Sequence, residues 1–191
     1  MATYYVDQNH PSANDTNAGT SESAPWLTLT RATGQTGPGG LVAGDTCYVK
    51  NGTYLAPSTG DAAFNSANSG SSGNPIAFRA YPGHAPVIER SSTPHHDEGF
   101  TAPSLYINGR NYVTWDGFTC APWTAVRISG CTGGIVERCT INPGVATDPG
   151  TENYCGIYVS DGLTDGTIRN NRIQNAQWSV SRQNASGITG Y

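Results

Sequence analysis

Leu105-Tyr106-Ile107, Val126-Arg127-Ile128 and Ile157-Tyr158-Val159 are three apolar-x-apolar runs that repeat one message. Each leads into a polar or glycine turn: Asn108-Gly109-Arg110, Ser129-Gly130-Cys131 and Ser160-Asp161-Gly162. A second short run then closes on a large apolar residue: Val113 to Phe118, Val136 to Ile141, Ile168 to Ile173. The starts fall at 105, 126 and 157, and a fourth run opens at Gly187-Ile188-Thr189. Short strands at such offsets, punctuated by Gly, Asn and Asp, suit a solenoid in which each repeat is one coil.

Strand geometry turns the alignment into an expectation about faces. Alternate side chains of a strand point opposite ways, and stacked strands lie about 4.8 Å apart. With Leu105/Ile107, Val126/Ile128 and Ile157/Val159 inside, Tyr106, Arg127 and Tyr158 form one exterior row. Aligning the second runs on Val113, Val136 and Ile168 puts Thr114, Glu137 and Arg169 outside. Glu137 and Arg169 then form an exposed ion pair worth under about 1 kcal/mol. The same alignment groups Asp116 with Cys139 and Asn171, and Phe118 with Ile141 and Ile173. Small polar residues at such a corner can satisfy turn backbone groups.

The remaining chain is consistent with one domain of 191 residues. Residues 1–45 read as an N-terminal strand (Tyr4–Asp7), a polar loop and a cap. Trp26 to Ala32 is a short helix or an extended segment covering the open end of the solenoid. Residues 46–103 hold the first coils with polar insertions, and 104–191 the regular coils. No C-terminal cap is evident, so the sequence reads as the first part of something longer or as a chain capped by a partner.

Composition narrows the function classes. Charged residues make up 13% of the chain and Gly 24 of its residues, a balance that favours turns and short strands over helices. Net charge is −4 with no basic block, which argues against nucleic acid. No apolar run reaches membrane-spanning length, and the start Met1-Ala2-Thr3-Tyr4 lacks the features of a signal peptide. The five cysteines (47, 120, 131, 139 and 155) have no zinc spacing. Buried free thiols are expected, with one disulfide among the last four as the alternative.

Several stretches resemble a known family. Tyr4-Tyr5-Val6-Asp7, Pro25-Trp26-x-Thr28-Leu29, Gly44-Asp45-Thr46-x-Tyr48-Val49-x-x-Gly52-Thr53-Tyr54 and Gly73-Asn74-Pro75-Ile76-x-Phe78-Arg79-Ala80-Tyr81-Pro82-Gly83 look like the N-terminal signature of pectate-lyase-like proteins. The resemblance implies an all-β, right-handed single-stranded parallel β-helix with a short N-terminal cap. It also implies an extracellular or virion-surface protein acting on or binding polysaccharide, although this scaffold carries many activities.

Lyases of this kind abstract an acidic proton with a Lys or Arg, often helped by calcium on carboxylates. Arg127, flanked by Tyr106 and Tyr158, is the first candidate, with a stacked surface arginine as the plainer reading. Lys50, the only lysine, is the second, with a solvated strand end as the plainer reading. Tyr106, Tyr158, Trp123 and Trp178 offer flat faces for sugar rings. Glu152, Asp161 and Asp165, with Asp148 nearby, are the candidate calcium ligands, although turn composition alone explains them. His95-His96-Asp97-Glu98 reads as a solvated loop. Two functions from different classes follow: β-elimination on uronic-acid glycans, or a non-catalytic tailspike-type protein that binds a receptor and assembles as a homotrimer.

Overall fold

The computed structural model describes residues 1–36, 39–56, 63–90, 103–121, 125–142, 156–174 and 188–190. The chain opens with β1 (Thr3–Val6) and the single-turn α1 (Leu29–Thr33). Coils follow in strict order: β2 (Thr46–Val49), β3 (Thr53–Ala56) and β4 (Phe64–Asn65), then β5 (Ile76–Ala80), β6 (Val87–Arg90) and β7 (Pro103–Asn108). The next is β8 (Val113–Asp116), β9 (Thr119–Cys120) and β10 (Ala125–Thr132). Then come β11 (Ile135–Glu137), β12 (Thr140–Ile141) and β13 (Ile157–Thr164), and finally β14 (Thr167–Arg169), β15 (Arg172–Ile173) and β16 (Ile188–Gly190).

Each coil gives one strand to each of three parallel sheets. Sheet A has the order β1-β2-β5-β8-β11-β14, sheet B β3-β6-β9-β12-β15, and sheet C β4-β7-β10-β13-β16. The crossovers are right-handed, as parallel connections are. The molecule is the expected parallel β-helix, and the run at Ile188 pairs with Ile157 as the next rung.

Interior columns run along the axis. On sheet C, Phe64, Leu105, Val126 and Ile157 stack in register, with Ile107, Ile128 and Val159 beside them. On sheet A the column is Tyr4, Cys47, Phe78, Trp115, Val136 and Ile168. The Phe78 and Trp115 rings stack with centroids 4.3 Å apart. On sheet B it is Tyr54, Ile88, Cys120, Ile141 and Ile173. Each fully buried aliphatic or aromatic side chain contributes roughly 1.5–3 kcal/mol of transfer free energy, so these columns supply the main cohesion. Cys47, Cys120, Cys131 and Cys139 are buried, and Cys47, Cys131 and Cys139 are free thiols, as the first of the two cysteine readings expects; Cys155 lies outside the described residues.

The register corrects the alignment of the second runs. Trp115, not Val113, lies beside Val136, and Asp116, not Thr114, beside Glu137. Likewise Cys120, not Phe118, pairs with Ile141. The runs cannot be matched on their first apolar residue, because Gly134 stands where Val113 would project inward. A Cβ there would meet Cys131 Sγ at 3.0 Å and Ile107 Cδ1 at 3.4 Å, so that inner space is already filled. The corner role given to small polar residues does hold at Asn171. It accepts from Cys139 N–H and donates to Val136 C=O, both at 2.9 Å.

Columns of left-handed backbone mark the corners. Gly117, Arg138 and Asn170 share the A-to-B corner, and Gly109, Gly130 and Asp161 share a position on sheet C. At the N-terminal end α1 is capped by Thr28, whose hydroxyl accepts from Arg31 N–H. Asp15 holds the approach through Leu27 N–H, Thr28 N–H and Thr28 Oγ1. Trp26, Leu29, Ala32 and Leu41 are buried in one cluster with the first coils.

Candidate functional site

The exterior row on sheet C forms as expected. Arg127 lies beside Tyr106 on one rung and Tyr158 on the other. Its guanidinium carbon sits 5.2 Å from the Tyr106 ring centre and 5.5 Å from that of Tyr158. Such a cation between two π faces is held in orientation, and among the described residues its charge is stabilised without a carboxylate contact. Arg127 Nε is buried with no hydrogen-bond partner among the described residues. A buried donor in that state is a strong acceptor-seeking group.

One aspect of the row differs from the expectation. Tyr106 is only 5% exposed and acts as the floor on which Arg127 rests, whereas Tyr158 is half-buried and keeps an accessible side. The reason is position: Tyr106 lies under the next rung and against Asn65 of the rung before it.

Two residues along, the outward row is Asn108, Ser129 and Ser160. Ser129 Oγ donates to Asp161 Oδ2 at 2.6 Å. Asp161 takes φ of 55° where the two previous coils have Gly130 and Gly109. Aspartate tolerates this region better than most side chains, and its carboxylate is thereby set over Ser129. The Ser129 hydroxyl, then that of Ser160, and the nearby Arg127 charge hold the Asp161 carboxyl below its ordinary range. The face therefore combines a fixed cation, an ionised acceptor, two hydroxyls and one half-buried aromatic ring.

The other candidates go elsewhere. Lys50 lies on the sheet A side, 2.8 Å from Glu22, 3.8 Å from Asp7 and 5.0 Å from the Tyr81 ring centre. The Glu22 hydrogen bond raises its pKa, so it stays protonated. It is therefore not placed with Arg127 and is a poor base. Asp165 sits in the corner that also holds Tyr112 and Gly133, not with Asp161 on the sheet C strand face. Among the described residues no group of three His, Cys, Asp or Glu side chains converges as a metal site. Trp123, Trp178, Glu152, Asp148 and His95 to Glu98 lie outside the described residues.

Sequence reasoning missed a second constellation, on the outer face of sheet A. There the register lines up Tyr5, Tyr48, Arg79, Asp116, Glu137 and Arg169. Arg79 Nη1 donates to Asp116 Oδ2 at 2.6 Å, and Arg138 Nη2 donates to the same oxygen. Arg138 also reaches Glu137 Oε1 at 3.3 Å, and Arg169 pairs with Glu137 Oε2 at 2.7 Å. The expected Glu137–Arg169 pair exists, but not as a fully exposed one: Asp116 and Glu137 are each 4% exposed. The missed signal was the constant offset from 105 to 126, which also carries Asp116 onto Glu137.

No family model matches the chain. It is 25% identical over 177 residues to the uncharacterized protein YwoF of Bacillus subtilis, covering 93% of this chain and 30% of that protein. Among solved structures, a rhamnogalacturonan lyase superposes with a TM-score of 0.58 at 19% identity, over 92% of this chain and 52% of the other. Pectate lyase Pel9A gives 0.56 at 17%, over 88% and 46%. The GH136 lacto-N-biosidase of Eubacterium ramulus gives 0.55 at 14%, over 90% and 34%. The chain thus spans about a third to a half of the length of the proteins it matches. These likenesses establish the pectate-lyase-like parallel β-helix as the fold.

Proposed function

We propose that this chain belongs to a carbohydrate-active β-helix that acts outside the cell on a uronic-acid polysaccharide, gripping it on the outer face of sheet C. The observation that carries this reading is Arg127, fixed between Tyr106 and Tyr158 with its Nε unsatisfied. A guanidinium offers planar paired donors matched to a carboxylate. Tyr158 supplies the ring on which the sugar stacks, and Asp161 and Ser129 accept from its hydroxyls. The structural neighbours, a rhamnogalacturonan lyase, a pectate lyase and a lacto-N-biosidase, support a glycan as the partner class. No helix among the described residues is long and apolar enough to cross a membrane.

In β-elimination a base removes the C5 proton while a cation neutralises the charge growing on the adjacent carboxylate. Arg127 suits the second task, because its planar guanidinium offers paired N–H donors to a carboxylate. Calcium could share that task, and Asp161 is the carboxylate that the sheet C face sets near Arg127.

The test is absorbance at 235 nm, with calcium, across a panel of uronic-acid polysaccharides, alongside binding by isothermal calorimetry. Rising absorbance that is lost in Arg127→Ala supports elimination on this face. Binding without absorbance, lost in Arg127→Ala and Tyr158→Ala, supports a non-catalytic, tailspike-type receptor-binding role, which a trimer in light scattering would strengthen. Binding and turnover unchanged in both variants would overturn the site.

A further inference from the structure

The outer face of sheet A holds an open cleft of about 430 Å³, lined among others by Tyr48, Arg79, Tyr81, His84, Asp116 and Arg138. Its floor is charged. Arg79 and Arg138 converge on one oxygen of the nearly buried Asp116, so two guanidiniums share a single carboxylate. Their side chains remain 36% and 53% exposed. Each guanidinium has five N–H donors and spends few of them on Asp116. Two arginines and one carboxylate thus line the cleft, with Glu137 also reaching Arg138 from beside it, on a chain whose net charge is −4.

Its wall is aromatic. Tyr48 and Tyr81 meet edge to face at 5.9 Å, and Tyr81 and His84 at 5.2 Å. His84 Nδ1 accepts from Asn51 N–H at 3.0 Å, and Asn51 Oδ1 accepts from Ala85 N–H at 2.7 Å, which fixes the imidazole. With Nδ1 an acceptor, the neutral ring carries its proton on Nε2, leaving that N–H as a donor.

Arg138 also departs from its repeat. It takes φ of 55°, where the flanking coils have Gly117 and Asn170, residues suited to this conformation. Arginine there is strained, and such strain concentrates at binding and catalytic sites. A mere staple between β8 and β11 would not require it, nor would a staple explain the aromatic wall opposite.

We infer that this cleft binds an anionic sugar unit, with its carboxylate or sulfate held by Arg79, Arg138 and the His84 Nε2–H. The sugar ring lies against Tyr48 and Tyr81. This is a second glycan site, on a different sheet from the Arg127 row, and it rests on the function proposed above only in taking a sugar as the carrier of the anion.

Chemical-shift titration of the isotope-labelled chain tests it, using methyl galacturonide, galactose 6-sulfate, methyl galactoside and inorganic sulfate. Saturable shifts at Tyr48, Tyr81 and His84 are expected from one or both acidic sugars and not from methyl galactoside; which one binds identifies the anion. Arg138→Asn, which installs the residue that already stands at 170, should weaken binding about tenfold with the fold retained. Should that variant not fold, Tyr48→Leu is the second probe, expected to weaken the acidic sugars while sparing inorganic sulfate. Arg127→Ala should leave these shifts intact, which separates this cleft from the sheet C face. The inference is overturned by an absence of saturable shifts from either acidic sugar. Equal response to the neutral galactoside, equal affinity for inorganic sulfate, or unchanged affinity in Arg138→Asn would overturn it as well.

Discussion

The outer face of sheet C carries one arginine in its row and that of sheet A several, and the two settle that charge differently. On sheet C, Arg127 has aromatic neighbours above and below and keeps an unsatisfied Nε. On sheet A, Arg79, Arg138 and Arg169 are tied to Asp116 and Glu137 by short ion pairs. A cation between rings keeps its hydrogen-bonding capacity for a ligand, whereas one on a carboxylate spends part of that capacity on the fold. The difference teaches that the same solenoid position can store binding potential or cohesion, according to what the adjacent rungs place beside it.

Both faces stand on one thiol-containing interior, and the widest change should come from there. Burial pushes the Cys139 thiol up to about 12, and raises Cys47 and Cys131 as well. A raised folded-state pKa means that the unfolded chain loses the proton first. Stability is therefore intact below the unfolded thiol value of about 8.5 and declines as pH rises from there toward the folded value. The slope should approach 1.4 kcal/mol per pH unit for each such thiol. Urea denaturation between pH 8 and pH 11 measures it, and both faces should fail together; a stability that stays flat would contradict the buried-thiol interior.

Asp116→Ala comes next. It removes the acceptor shared by Arg79 and Arg138 and should cost about 1–2 kcal/mol, since the guanidiniums left behind are partly solvated. Chemical denaturation checks this, and a neutral outcome would mean that sheet A is no more tied down than sheet C. Arg127→Ala should do the reverse. Unfolding free energy should stay within about 0.5 kcal/mol, while uronate-glycan affinity on sheet C falls about tenfold by calorimetry. The smallest effect is expected from Arg169→Ala. Glu137 keeps Arg138 as a partner, so the loss should be under about 1 kcal/mol and should shrink further in high salt.

The sheet C row was legible in the sequence because it needs only two regularities. Alternation sets Tyr106, Arg127 and Tyr158 outward, and the common turn after each run fixes their register. The sheet A cluster was not read, because aligning the second runs on Val113 and Val136 displaced β8 by two residues. Gly134 was the cause: a glycine filling an inward place looks like part of a turn. With Asp116 matched to Cys139 instead of Glu137, the carboxylates were separated and Arg79 had no partner. Tyr106 shows a different gap. Alternation says that it faces outward, but its burial depends on what the neighbouring rungs lay over it.

The sequence by itself determined the coil, the inward columns of sheet C and the outward row at Arg127. Those follow from a side-chain period of two repeated at a rung spacing that backbone hydrogen bonding dictates. Only the tertiary structure decided that Arg79 and Arg138 converge on Asp116, that Lys50 lies with Glu22 apart from Arg127, and that Tyr48, Tyr81 and His84 wall a cleft. These groups come from coils joined by corners and insertions of unequal length. Their meeting is set by which residue of each strand pairs across the sheet, a choice that side-chain volume inside the coil makes.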